Sequence, residues 1–112
     1  MISREGAEHY GWGAGCDGWH LVRTPEMSVI EERMPPGASE VKHRHVHSRQ
    51  FFRVLRGMLT VELGDVQHDL SAGEGVEVAP GVVHVVRNDS NEAAEFLVVS
   101  VPPSHGDREV VE

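Results

Sequence analysis

The sequence is poor in cysteine and in long apolar runs, and each shortage narrows what the protein can be. Its single cysteine, Cys16, cannot form an internal disulfide, which is typical of a reducing compartment. No apolar run approaches the ~18 residues that a membrane-spanning helix needs, and the first residues lack the apolar core of a signal peptide. We therefore expect a soluble cytoplasmic protein.

Positive charge is also scarce. Ten Lys and Arg residues stand against eighteen Asp and Glu residues, which gives a net charge of −8 with histidine neutral, and no basic cluster interrupts this balance. Because nucleic acids and anionic membrane surfaces are bound by basic patches, we expect neither as a partner. A chain of 112 residues is long enough for one compact core, so we predict a single domain over residues 1–112.

Helical periodicity is missing as well. No segment keeps an apolar period of 3.6 over the ~10–12 residues of an ordinary helix. Short runs rich in β-branched residues alternate instead with glycine and proline turns, which predicts an all-β sandwich or barrel. The polar segment after Pro103 is expected to be a loosely held end or a strand donated to a neighbour. The predicted strands cover residues 19–22, 27–34, 41–47, 50–55, 58–63, 66–70, 75–78, 84–88 and 95–101.

Histidine is abundant where the other features are sparse. His43, His45 and His47 occupy alternate positions, and alternate residues of a strand point to the same face. A closed barrel would bring His84 to the same place. Taken singly, a histidine is more often a surface or hydrogen-bonded residue. Two histidines at this spacing with a distant third form a ligand set suited to Zn, Fe, Mn, Ni or Cu, and the spacing favours a metal site.

Two stretches, residues 37–57 and 73–88, carry further regular spacings. The first fits G-x5-H-x-H-x4-E-x6-G with Gln50 at the glutamate position, and the second fits G-x5-P-x-G-x2-H-x3-N with Ala79 at the first proline. Together they resemble the two motifs of the cupin family. The resemblance extends through the flanking strands and leaves only residues 1–18, an N-terminal extension, without a clear counterpart.

The resemblance implies a double-sheet jelly-roll β-barrel with one divalent transition metal at one end. Its ligands would be His43, His45 and His84, with Gln50 as the fourth, and the metal could be Zn, Mn, Fe, Ni or Cu. Alternatively, Gln50 only forms hydrogen bonds inside the barrel. A neutral amide ligand would leave the ion its full double charge, so it would bind less tightly and act as a stronger Lewis acid.

An amide cannot accept a proton, so a base would have to be another residue. His47 is the first candidate for this catalytic role, although it could equally be a rim residue beyond the end of its strand. The apolar residues Met34, Phe52, Val54 and Val86 are expected to line a substrate pocket beside the metal. Residues of this kind are also common in a plain core.

The stretch from Tyr10 to Trp19 and the assembly are harder to interpret. Tyr10, Trp12, Trp19 and His20 could cover the barrel or lie at its mouth, or they could be the first core or dimer residues. Open sheet edges favour a homodimer in which a second copy covers them.

Two classes of function fit this sequence. The first is a metal-dependent enzyme of isomerase or dioxygenase type acting on a small molecule, and the second is a non-catalytic ligand-binding or sensor domain. The absence of a DNA-binding helix-turn-helix favours the enzyme. The alternation, spacing and motifs do not identify the substrate.

Overall fold

The protein folds entirely from strands. The computed structural model describes residues 1–112 and contains eleven strands and no helix. It therefore has no helix that could span a membrane. The predicted all-β class is confirmed, and each predicted strand has an observed counterpart. The strands are β1 (Glu8–Trp12), β2 (Cys16–Arg23), β3 (Ser28–Met34), β4 (His43–His45), β5 (Arg49–Arg56), β6 (Met58–Leu63), β7 (Val66–Ser71), β8 (Gly75–Val78), β9 (His84–Arg87), β10 (Ala94–Val101) and β11 (Arg108–Val110).

The strands form two antiparallel sheets. The six-stranded sheet has the order β1-β2-β3-β10-β5-β8, and the five-stranded sheet has the order β11-β4-β9-β6-β7. Strand β10 lies between β3 and β5, so the chain crosses repeatedly from one sheet to the other, as in a jelly roll. The two sheets are not joined by hydrogen bonds into one closed barrel.

The core follows from alternation along the strands. In β5 the side chains of Gln50, Phe52 and Val54 are buried, whereas Phe51 and Arg53 are exposed. Each fully buried aliphatic or aromatic side chain contributes about 1.5–3 kcal/mol to stability. The buried apolar cluster comprises Cys16, Met34, Ala38, Phe52, Val54, Leu59, Val61, Leu70, Val78, Val86, Ala94, Phe96 and Val98.

Two strands at the edges of the sheets were not predicted. Strand β1 pairs with β2, so the N-terminal extension forms a hairpin at the edge of the six-stranded sheet. Strand β11 pairs with β4 of the same chain. Of the two expectations for the residues after Pro103, a strand donated to a neighbour is not what the structure shows, because β11 finds its hydrogen-bond partners within the chain.

Asp107 explains why β4 is shorter than predicted. Its carboxylate accepts backbone N–H groups from Val46, His47 and Ser48 at 3.1, 2.8 and 2.8 Å. These bonds turn the chain immediately after His45, whereas the predicted strand extends to residue 47. His47 consequently leaves the face shared by His43 and His45.

Candidate metal centre

Three histidine side chains from two neighbouring strands converge at one point. His43 and His45 lie on the buried face of β4, and His84 on β9 is the direct antiparallel partner of His43. The potential ligand atoms of the three rings all lie within 4.8 Å of one another. Such a cluster of imidazole nitrogens could hold one metal ion.

Backbone carbonyls orient two of the three rings. His43 Nδ1 lies 2.7 Å from the carbonyl oxygen of Val41, and His84 Nδ1 lies 2.9 Å from that of Val82. A carbonyl oxygen only accepts, so each Nδ1 must carry the proton and donate it. The neutral ring then has its lone pair on Nε2, the form that ligates metals. His84 Nε2 is buried and has no hydrogen-bond partner.

Burial keeps the histidines neutral. It lowers the pKa of His43 to about 4, while the hydrogen bond to Val41 opposes the change. Burial also lowers the pKa of His45 and His84 below the usual value. All three rings therefore have free lone pairs at neutral pH, and a metal ion does not have to displace protons from them.

Gln50 provides an oxygen atom without a protein partner. Its Nε2 donates to Ser100 Oγ at 3.0 Å, which fixes the orientation of the amide, and its Oε1 is buried without a hydrogen bond. Buried polar atoms are almost always paired, so an unpaired carbonyl oxygen in the cavity that His43 and His45 also line is suited to act as a metal ligand. The donor set of His43, His45, His84 and Gln50 fits a divalent transition metal.

A cavity of about 880 Å³ opens beside this cluster. His43, His45 and Gln50 lie on its lining, together with residues from both sheets and from the segment before β11. The other lining residues are Glu8, Tyr10, Trp12, His20, Arg23, Thr24, Pro25, Ser28, Ile30, Glu32, Glu40, Phe52, Val98, Pro102, Pro103, Ser104, His105, Gly106 and Arg108.

The predicted pocket residues divide between the cavity and the core. Phe52 lines the cavity. Met34, Val54 and Val86 are at most 1% exposed, belong to the apolar core and do not line it. His47 is exposed and lies outside the cavity lining, so its position offers no support for the predicted catalytic role.

Two glutamates in the cavity were not among the predicted site residues. Burial raises the pKa of Glu32 to about 7 and that of Glu40 to about 8. Glu40 Oε1 accepts the backbone N–H of Val86 at 3.1 Å and lies 3.9 Å from His43 Nδ1. Alternation along β3 was the signal available for Glu32, because it shares the inward face with Ser28 and Ile30.

Comparison with known proteins identifies the family. The family model for the cupin domain matches residues 30–100, which include all four candidate ligands. The chain belongs to the cupin family, and the predicted resemblance and jelly-roll fold are confirmed.

Individual relatives differ in their chemistry. An oxidoreductase from Arthrobotrys oligospora is 41% identical over 87 residues, which cover 74% of this chain and 34% of that protein. An RmlC-like cupin from Shewanella frigidimarina has a TM-score of 0.80 at 25% identity, covering 88% of this chain and 86% of that one. The polyketide cyclase RemF from Streptomyces resistomycificus has a TM-score of 0.84 at 17% identity, covering 100% and 84%, and this likeness shows the fold alone.

The curated relatives are longer than this chain. It spans between about a third and a half of their length, with values of 34%, 45% and 36%.

Proposed function

We propose that the chain is a metal-dependent enzyme that acts on a small organic molecule bearing oxygen atoms. One divalent transition metal would be held by His43, His45 and His84, with Gln50 as the fourth ligand. The single observation that carries this proposal is the pair of buried atoms without partners, His84 Nε2 and Gln50 Oε1, at a cluster of neutral imidazoles. No group of the protein forms a hydrogen bond with either atom, and a metal ion would give both a partner.

When bound, the ion would supply Lewis acidity toward a substrate oxygen or, if it is iron, reactivity toward dioxygen. The chain's own residues prepare the site for this chemistry. Gln50 adds no negative charge, so the charge of the ion is not reduced by its fourth ligand. The carbonyl groups of Val41 and Val82 hold the His43 and His84 rings in the orientation required for ligation.

The cavity is large enough, and apolar enough on one side, for a small organic substrate. Phe52, Ile30 and Val98 provide apolar surface, and protein pockets of about 300–1,000 Å³ accommodate drug-sized molecules. Glu32 can hold or release a proton near neutral pH, which favours a catalytic site over a purely ligand-binding one. A non-catalytic sensor with the same metal is the second candidate.

The name of the curated relative from Arthrobotrys oligospora describes an oxidoreductase, which supports an enzyme without defining its substrate. Assembly and location remain proposals: we retain a homodimer, supported by the exposed apolar side chains of Phe51 and Leu55 on the outer face of β5, and a cytoplasmic location.

Metal analysis of protein purified without a histidine tag tests the proposed function. Plasma mass spectrometry should find about one divalent transition metal per chain, because the chain has one cluster of three imidazole ligands. Titration of Co²⁺ into the metal-free protein should give the visible absorption of a cobalt–imidazole site. A protein that binds neither its native metal nor cobalt would contradict the proposal. Bound metal with no turnover of any substrate would favour the sensor.

A further inference from the structure

A tyrosine and a glutamate meet on the cavity wall formed by β1, β2 and β3. Tyr10, Gly18 and Glu32 lie side by side on these three strands, because Tyr10 pairs with Gly18 and Gly18 pairs with Glu32. The Tyr10 ring crosses β2 over Gly18, where an added Cβ would lie only 2.3 Å from Tyr10 Cζ. Its hydroxyl donates to Glu32 Oε1 at 3.4 Å. The absence of a side chain at Gly18 is thus what allows this contact across a strand.

Glu32 has no cationic partner in the protein, since none of the chain's ion pairs includes it. Its side chain is half-buried and lines the cavity, and loss of solvent raises the pKa of the carboxyl group to about 7. The hydrogen bond from Tyr10 is long and leaves the second carboxyl oxygen free. The other titratable or charged groups around this wall lie on all the elements packed against it. They are Glu8 on β1, Cys16, His20 and Arg23 on β2, Arg33 on β3, Glu40 before β4, His105, and Arg108 on β11.

Further polar atoms without partners lie on the lining of the same cavity. Trp12 Nε1 and His20 Nδ1 are buried and make no hydrogen bond. An indole N–H can only donate, whereas the free oxygen of Glu32 accepts. The lining therefore matches a ligand that both donates and accepts hydrogen bonds.

The shape and charge of the wall narrow the ligand class. Tyr10 and His20 have ring centroids 5.0 Å apart, and the rings of Trp12 and Phe52 lie on the same lining. Flat aromatic walls favour a flat ring, which can stack or pack edge to face. Above pH 7 the ionised carboxylate of Glu32 disfavours an anionic ligand next to it.

We propose that the wall built from Tyr10, Gly18 and Glu32 is a subsite for a neutral, hydroxylated aromatic ring. A ring hydroxyl donates to Glu32, while Tyr10 holds the carboxyl group in place from the other side. Tyr10 is thus a positioning residue, and Glu32 is the ligand contact. The inference deepens the proposed function, because it names the substrate class of the same cavity and depends on that function for the reaction at the histidine end.

Resorcinol, a neutral ring with two hydroxyl groups, is a suitable probe. It is titrated at pH 8 into protein stripped of metal with a chelator, so that a phenol cannot bind to the metal instead. Backbone amide shifts in a ¹H–¹⁵N spectrum should move around Tyr10, Gly18 and Glu32 and give a millimolar dissociation constant, as expected for a fragment of this size. The methyl ether 1,3-dimethoxybenzene, which cannot donate, should bind about tenfold more weakly or worse.

Two variants and a matched control locate the binding. Glu32→Met keeps the side-chain length but removes the acceptor, and should weaken resorcinol binding about tenfold or more. Tyr10→Phe keeps the ring, and should weaken binding to a smaller extent by releasing Glu32. Glu31→Met should leave the dissociation constant unchanged, because Glu31 pairs with Arg4 at 3.1 Å and does not line the cavity.

The inference is overturned if wild-type protein does not bind resorcinol, if the two probes bind equally, or if Glu32→Met binds as well as wild type. The first two comparisons need no variant, so a folding defect in Glu32→Met does not prevent the test. Failure here is distinguishable from failure of the proposed function, which is measured as metal content. A chain that binds resorcinol through Glu32 but binds no metal would contradict only the latter.

Discussion

The cavity has two contrasting walls. On the five-stranded sheet, burial lowers the pKa of three histidines, and on the six-stranded sheet burial raises the pKa of Glu32. The same loss of solvent therefore favours the neutral form on both walls. A neutral imidazole offers a lone pair, whereas a neutral carboxyl group carries a proton. Burial therefore leaves the histidines of one wall free to bind a metal ion and the carboxyl group of the other wall able to carry a proton.

The two walls also differ in what holds their side chains. Backbone carbonyls of Val41 and Val82 orient the histidine rings, so that wall depends on the path of the main chain. A side chain lying over Gly18 orients Glu32, so the other wall depends on one contact between side chains. Changes of single residues should consequently separate the two.

The largest expected effect concerns the histidine wall. His84→Ala removes one of three imidazole donors and should lower the affinity for Zn²⁺ or Co²⁺ about 100-fold or more, because imidazoles are the strongest ligands of the proposed site. His68→Ala, on β7 outside the cavity, should leave the affinity unchanged. Competition with a metal chelator of known affinity measures both. Full metal occupancy in His84→Ala would show that His84 is not a ligand.

The carboxyl wall should respond to pH instead. Glu32 has a pKa of about 7 in the folded protein against 4.5 in an ordinary environment, so the folded state keeps its proton while the unfolded state has lost it. Its contribution to stability is present below about pH 4.5 and is lost as the pH rises through about 7, which amounts to roughly 3 kcal/mol.

Glu32→Gln removes this titration, so the variant should gain stability relative to wild type between pH 5 and about pH 8. Urea unfolding of the metal-free proteins at the two pH values measures the difference. His43, whose pKa is lowered to about 4, titrates in both proteins and therefore cancels in the comparison. The pKa of Glu40, about 8, is raised partly by the charge of Glu32, so it should fall in the variant and add to the difference at the higher pH. An equal difference in unfolding free energy at both pH values would contradict the raised pKa of Glu32.

The smallest effect should come from Gln50. If its amide is a ligand, Gln50→Glu adds a negative charge beside the ion and should tighten metal binding about tenfold. The hydroxyl of Ser100 can donate to the new carboxylate in place of the lost amide donation. Gln67→Glu on β7 is the matched control. A lower melting temperature without tighter binding would indicate that Gln50 only forms hydrogen bonds within the fold.

The convergence of the histidines was predictable because it depends on simple geometry. Alternation places His43 and His45 on one face, and the two motifs identify His84 as their partner on another strand. Their role as ligands remains a prediction. The predicted strand wrongly extended to His47 because the backbone N–H of His47 donates to Asp107, sixty positions away in the sequence. No local sequence pattern indicates such a contact.

The opposite wall was not predictable in the same way. The Tyr10–Glu32 contact requires the register of β1, β2 and β3, and it requires Gly18 to be the residue between them. A glycine in a strand normally indicates a bulge or a close approach, but the sequence does not say which group approaches. Strand β11 escaped prediction for a similar reason, because its pairing partner β4 lies far away along the chain.

The pairing of β11 with β4 couples the stability of β11 to that of the strand that carries His43 and His45. Strand β4 has three residues and meets β9 only through His43 and His84, whereas it meets β11 through all three of its residues. All three residues of β11 are exposed, and an exposed short strand opens more readily than a buried one. An ion bound by His43 and His45 would therefore also reduce the local opening of residues 108–110. Conversely, a molecule that bound those residues would increase the affinity of the histidines for the ion.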